Sequence, residues 1–266
     1  MKWWRVYILI AACLAVPAAI RHSVPDPRDS GRFGGTFIGV IVAEDGIVVG
    51  SDSRSTFIDA GGQPVGYVDH MTKIYVSDGA AVAVAGLTSV EDELFSSFMR
   101  RNEDLLEKPV NEILFDVALK LPFRNSTSVV MFSAGFAHGE PRICAKAPNQ
   151  EQSCRNSGYF TNKTSSGLRR WFEGRGGRAV PAAEAAVALG RAIREAADLD
   201  SSIGGPITLL QVSKSGASQW LQNPPDDNGW TRVCDVVGSY RRGKTTIFFT
   251  DSKDRLDRYL DGVCPK

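Results

Sequence analysis

The run Gly35-Thr36-Phe37-Ile38-Gly39-Val40-Ile41-Val42-Ala43-Glu44-Asp45-Gly46-Ile47-Val48-Val49-Gly50-Ser51-Asp52-Ser53-Arg54 reads as two strands joined by a tight turn. Thr36 to Ala43 is β-branched and apolar. Glu44-Asp45-Gly46 breaks it, and Asp-Gly is a strong hairpin signal. Ile47 to Ser51 returns as the second strand. Neither half alternates polar with apolar, so both faces of the hairpin are expected to be covered.

Outward from this hairpin, Gly61-Gly62-Gln63-Pro64 is a loop tip. Lys73 to Val76 and Ala80 to Ala85 predict two more strands around Asp78-Gly79. Ser89 to Arg101 and Val110 to Leu121 carry helical spacing, with Leu94, Phe95 and Phe98 on one face and Ile113, Leu114, Val117 and Leu121 on the next. Strands are expected over Thr127 to Phe132 and Arg142 to Ala145, and a short helix over Ser165 to Phe172. Pro181 opens a helix to about Ala197, proline being tolerated in a first turn. Ile207 to Val212 and Ser218 to Leu221 form a hairpin across Lys214-Ser215-Gly216. Past Gln222 the pattern fades until the strand Thr245 to Thr250, and the charged stretch Asp251 to Arg258 is expected to fray unless a disulfide fastens it. Blocks of strands alternating with pairs of helices predict an α+β fold, a four-layer αββα sandwich with helices on both sides of two packed sheets.

The chain has 266 residues, of which 43% are apolar. Its 31 lysines and arginines nearly balance 30 acidic residues, which gives no electrostatic reason to expect nucleic acid. The N-terminus differs in kind. Lys2 and Arg5 precede an apolar run from Val6 to Ile20, with Pro17-Ala18-Ala19 at its end. Residues 1–20 therefore read as a signal peptide or a short membrane anchor, the membrane being reached only through this segment. Residues 21–35, rich in Gly and Pro, read as a propeptide or flexible linker. Residues 36–222 make the domain and 223–266 a C-terminal extension packed on it. Beyond Cys13 four cysteines remain, an even number that suits disulfides in an exported chain. Three pairings exist; Cys144–Cys154 and Cys234–Cys264 are favoured because each brackets one local segment. The absence of Cys-x-x-Cys spacing, with only His22, His70 and His138 as histidines, argues against a metal site, and nothing calls for a cofactor.

Three segments, in order, resemble proteasome β-type subunits, a family of N-terminal-nucleophile hydrolases. Gly35-Thr36-Phe37-Ile38-Gly39-Val40 with Asp52-Ser53-Arg54 is similar to the family's glycine–threonine junction and the Asp-Ser-Arg-like motif sixteen residues after the threonine. Lys73-Ile74 leading to Ala85-Gly86-Leu87 resembles its lysine and oxyanion-hole glycine. Asp200-Ser201-Ser202-Ile203-Gly204-Gly205 resembles its Asp-Ser-x-Ser-Gly-Gly loop, with Ile203 where the second serine would fall. The family's Gly-Ser-Gly segment has a loose echo in Thr164-Ser165-Ser166-Gly167.

The resemblance implies a site of Thr36, Asp52, Lys73, Gly86, Asp200 and Ser201, acting on a peptide or other amide bond. A threonine hydroxyl needs an adjacent base, which the α-amine of a newly exposed Thr36 supplies. Lys73, held by Asp52, would stabilise the alkoxide, and the Gly86 N–H would receive the oxyanion. Asp200 would orient the amine through Ser201 or Ser202. The string fits the family in a second register as well, displaced by one residue, in which Gly35 holds the nucleophile position. The non-catalytic proteasome α-type subunits share the Thr-x-Ile-Gly string and the downstream lysine. A non-catalytic binding or assembly protein is therefore the alternative; proteasome-like relatives form rings, so the resemblance leaves a homo-oligomer open.

Overall fold

The computed structural model describes residues 32–86, 89–90, 92–121, 129–224 and 228–265. The expected signal or anchor over residues 1–20, most of the linker, and Leu87, Thr127 and Ser128 lie outside these.

Within them the chain is mixed α/β, with antiparallel sheets and six helices. One five-stranded sheet is built on the opening hairpin, β2 (Ile38–Val42) and β3 (Gly46–Ser51), with β13 (Tyr159–Thr161) beside β2. On its other side follow β14 (Thr208–Ser213) and β15 (Ser218–Gln222). The second runs β12 (Ser153–Arg155), β11 (Glu140–Lys146), β10 (Val130–Ala137), β7 (Ala80–Ala85), β6 (Ile74–Ser77). A third, four-stranded sheet orders β1 (Arg32–Gly34), β4 (Ser55–Ile58), β5 (Pro64–Val68) and β16 (Phe248–Phe249). Strand β1 occupies the end of the expected linker: Gly34 faces Thr56 and Phe33 faces Phe57 in the ladder.

Apolar clusters explain why β2 and β3 lack alternation. Ile38, Val40, Ile47 and Val49 meet Ala81, Ala83, Phe132 and Ile143 of the second five-stranded sheet. Phe37, Ile41 and Val48 point the other way, onto Ala185, Leu189 and Ile193 of α4 (Ala182–Leu199). That helix sits close because a Cβ at Gly39 or Gly50 would lie 2.4 or 2.7 Å from the Leu189 side chain. The second sheet's other face carries α1 (Phe95–Arg101) and α2 (Val110–Lys120) through Phe98, Ile113, Leu114 and Val117. Helix α3 (Ser166–Glu173) is capped by Ser165, whose hydroxyl accepts the Leu168 N–H.

Three expectations change. The helix expected from Ser89 begins only at Phe95; residues 89–94 form the small pair β8 (Ser89–Val90) and β9 (Glu93–Leu94). The C-terminal extension takes their backbone, with Leu94 N–H on the Thr231 carbonyl and Val233 N–H on that of Asp92. The stretch after Gln222 is more regular than its pattern suggests, carrying α5 (Val233–Arg241) and α6 (Lys253–Val263). Most of the charged stretch Asp251 to Arg258 lies in α6. Ser252 caps α6, Leu256 and Leu260 bury against Phe57 and Val65, and Arg255 reaches Asp59 at 2.7 Å. The strand expected over Thr245 to Thr250 shortens to Phe248–Phe249, added to the edge of β5. Both favoured disulfides, Cys144–Cys154 and Cys234–Cys264, are present.

Candidate active site

Five chain segments converge where β2 begins. Thr36 and Phe37 were expected inside the strand, but they stand just before its ladder: side chains take the Thr36 carbonyl and the Phe37 N–H, and the Phe37 carbonyl accepts the Asp52 N–H at 3.3 Å. Asp52 Oδ1 accepts the Phe37 N–H at 2.8 Å. Asn162, following β13, donates its amide to the Thr36 carbonyl at 2.9 Å and accepts the Ile38 N–H at 2.7 Å. The peptide that follows the nucleophile candidate is thus held at both its carbonyl and its N–H by side chains.

Lys73 lies one residue before β6 and is fully buried with Asp52. Its Nζ donates to Asp52 Oδ1 at 3.0 Å, to the Arg54 carbonyl at 2.5 Å and to the Gly35 carbonyl at 3.2 Å. The Thr36 hydroxyl donates to that same Gly35 oxygen at 2.5 Å. Asp52 Oδ2 accepts N–H groups from Gly204 at 3.0 Å and Arg54 at 3.2 Å. Burial depresses the Lys73 pKa against the opposing pull of Asp52. Burial likewise raises the Asp52 carboxyl, against Lys73 and the N–H groups of Gly204 and Phe37. The cost of sinking two charges is offset by this full set of hydrogen bonds.

Gly35 has φ +84°, and a Cβ there would lie 2.3 Å from the Ser202 carbonyl oxygen and 2.5 Å from its Cβ. Only glycine fits, in both conformation and space. Ser202 is anchored by Asp200: its hydroxyl and N–H donate to Asp200 Oδ1 at 2.5 and 3.0 Å. Asp200 Oδ2 pairs with Lys163. Desolvation raises the Asp200 carboxyl, but the hydrogen bonds from Lys163 and Ser202 outweigh it and hold it below the ordinary value.

Of the six expected residues, Thr36, Asp52 and Lys73 are brought together around one carbonyl. Asp200 approaches through Ser202. Ser201 is exposed and meets the site differently, its carbonyl accepting Arg54 Nη1 at 3.1 Å. Gly86, φ +109°, follows β7 at the hairpin end where Val84 N–H bonds the Lys73 carbonyl. Ile203 is buried among the α4 contacts, so the hydroxyl expected there is replaced by core packing. Sequence reasoning missed Asn162 and Lys163. In the loose echo at Thr164–Gly167, Ser165 caps α3, and the preceding Lys163 is the group that reaches Asp200. Arg54 was read only as part of a motif. It pairs with Asp69 at 2.9 Å and lies over the Tyr67 ring at 3.7 Å, which fastens the turn whose carbonyl holds Lys73.

The sheets, the helices and the convergence of these loops give a fold like that of proteasome β-subunits. Among solved structures the chain is similar to Anbu from Hyphomicrobium sp. strain MC1, a Gly-1 mutant, at 15% identity and TM-score 0.56 over 78% of this chain and 97% of that one. It is also similar to Anbu from Yersinia bercovieri, an ancestral β-subunit, at 13% identity and TM-score 0.53 over 71% of this chain and 88% of that one. No family model and no curated protein matches the chain. At these identities the likeness speaks for the fold.

Proposed function

We propose that this chain is an exported threonine-type N-terminal-nucleophile amidohydrolase, activated by cleavage at Gly35–Thr36, with a peptide or other amide as substrate. One observation carries the reading: Lys73 Nζ and the Thr36 hydroxyl converge on the Gly35 carbonyl. In activation Thr36 Oγ1 adds to that carbonyl carbon while the Lys73 ammonium stabilises the oxygen. The C–N bond breaks, the C–O ester forms, and the hydroxyl proton ends on the Thr36 nitrogen. Water then hydrolyses the ester, leaving a Gly35 carboxylate and a free Thr36 α-amine. In turnover that amine takes the Oγ1 proton, and the Gly86 N–H receives the oxyanion. The crowding at Gly35 supports the register that puts Thr36, not Gly35, in the nucleophile position.

The three clusters between and outside the two five-stranded sheets support a four-layer αββα order. The two disulfides support an oxidising compartment. Among the described residues no helix is long and apolar enough to cross a membrane. The likeness to an ancestral β-subunit supports self-association into a homo-oligomer. Buried Ile203, standing where the family carries a hydroxyl, favours the second reading, a non-catalytic binding or assembly protein. The intact mass and N-terminal sequence of the purified protein decide between them. A chain beginning at Thr36 supports the hydrolase; one that keeps Gly35 supports the second reading.

A further inference from the structure

We propose that Lys163 is a positioning residue of this site, its ammonium clamping the Asp200–Ser202 loop against the Gly35–Thr36 bond. The inference rests on the hydrolase reading and goes beyond it, since neither the motif nor the expected site contained this residue.

Lys163 follows Asn162, whose side chain bonds both the Thr36 carbonyl and the Ile38 N–H. The backbone of this pair is itself fixed, Asn162 N–H donating to the Ile38 carbonyl at 3.2 Å. Lys163 therefore starts from the nucleophile strand. Its other end pairs with Asp200. Asp200 holds Ser202 by two hydrogen bonds, and Ser202 closes on Gly35 so tightly that no side chain fits there. The path Asn162, Lys163, Asp200, Ser202, Gly35 makes a ring of contacts around the bond to be cut. Lys163 is the charged member that joins the two loops. Neutralising it would leave Asp200 without its cation and let the wall against Gly35 relax.

The same ammonium acts on Lys73 through space. The charged groups that act on Lys73 include Asp52 after β3, Asp69 after β5 and Lys163 after β13. Burial lowers the Lys73 pKa, the two carboxylates oppose it, and Lys163 lowers it further. If Lys73 works as an ammonium, Lys163 sets how far toward alkaline pH the site stays active. Removing its charge should extend activity to higher pH while loosening the geometry. A residue with a purely structural role would lower the rate without moving the profile.

The test is the rate of Gly35–Thr36 cleavage in the full chain, followed by intact mass across neutral to alkaline pH. The wild type, Lys163→Met and Lys163→Arg are compared, with a thermal melt of each as a folding control. Lys163→Met should slow cleavage roughly tenfold, the equivalent of about 1.4 kcal/mol, and move the alkaline limb upward in pH. Lys163→Arg, which keeps the charge, should restore the limb and most of the rate. If Lys163→Met does not fold, Lys163→Gln carries the same expectation. Unchanged cleavage in the neutral variant overturns the inference. So does a slower rate with an unmoved limb, or failure of Arg to restore what Met loses. A wild-type chain that never cleaves removes the hydrolase reading and this inference with it; a wild type that cleaves, with the limb unmoved in the variant, removes the inference alone.

Discussion

Thr36 spends its hydroxyl on the carbonyl of its own neighbour, not on a distant part of the fold. Thr36→Ala should therefore cost the fold no more than about 1 kcal/mol, while abolishing both cleavage and hydrolysis; intact mass and a denaturant melt measure the two effects separately. Gly35→Ala is expected to behave differently. At φ +84° an L-residue costs about 1–2 kcal/mol, and the new Cβ would press on Ser202 at 2.3 Å. That variant should melt earlier and cleave more slowly, in both respects unlike Thr36→Ala. For the Lys73–Asp52 pair, removing one partner strands a buried charge at a cost of about 3–5 kcal/mol. Changing Lys73 and Asp52 together to methionine and leucine should recover stability without recovering turnover; recovered turnover would reduce the pair to a structural role. The meeting of Thr36, Asp52 and Lys73 was legible because their segments resemble a known family in order, with an ungapped interval from Thr36 to Asp52. Asn162 and Lys163 were not, since they reach the site only through the pairing of β13 with β2, and no local pattern announces that pairing.

At the scale of elements, legibility followed burial. Strands β2, β3 and β7 are covered on both faces, and their unbroken apolar runs say so. Helix α6 exposes much of its surface, so the apolar residues that dock it, Leu256 and Leu260, are sparse in a charged background, while α5, which buries Val233, Val236 and Val237, is only nine residues long. Their order comes from tertiary contacts. Tyr259 is one of these: its hydroxyl donates to the Ile58 carbonyl at 3.2 Å and its ring packs edge-on to Phe57. Burial, with a smaller contribution from Asp59, pushes its pKa from 10.0 up to about 12. The sign follows from proton counting. Between pH 10 and 12 the unfolded tyrosine loses its proton while the folded one keeps it, so stability is full below pH 10 and falls as pH rises toward 12. The loss reaches roughly 2–3 kcal/mol at most. Comparing alkaline denaturation of the wild type and Tyr259→Phe checks it. The variant should start less stable, having lost a hydrogen bond, and should show a shallower decline over that window. Parallel curves would mean that Tyr259 ionises as freely in the fold as outside it.

For the whole molecule the question is what holds the segment after Gln222 to the sheets. The likeness covers 97% of one Anbu chain but 78% of this one, so this protein has chain to spare. Part of the tail is bound by a single cluster, in which Trp230, Val233, Val236, Ile247, Leu256 and Leu260 close over Phe57, Val65, Val68 and Met71. The bridge Cys234–Cys264, 30 positions apart, ties the first tail helix to the end of the last. Cys144–Cys154 spans 10 positions between paired strands. Loop-closure entropy makes the longer loop the more stabilising, about 3–4 kcal/mol against about 2–3 kcal/mol. It also acts at a terminus, where fraying otherwise begins. The paired substitution Cys234→Ser with Cys264→Ser should thus lower the melting temperature by roughly 7–14 °C for a domain of this size, and more than the equivalent change at Cys144 and Cys154. Because α6 carries Arg255 to Asp59 and Tyr259 to Ile58, the loss should be felt in β4 and β5 as well as in the tail. Amide hydrogen exchange with and without reductant reads this directly. Exchange that quickens at Ser55–Ile58 and Pro64–Val68 once Cys234–Cys264 is opened would tie the stability of the site's flank to an oxidising compartment. Exchange confined to residues beyond Val233 would make the bridge a local staple.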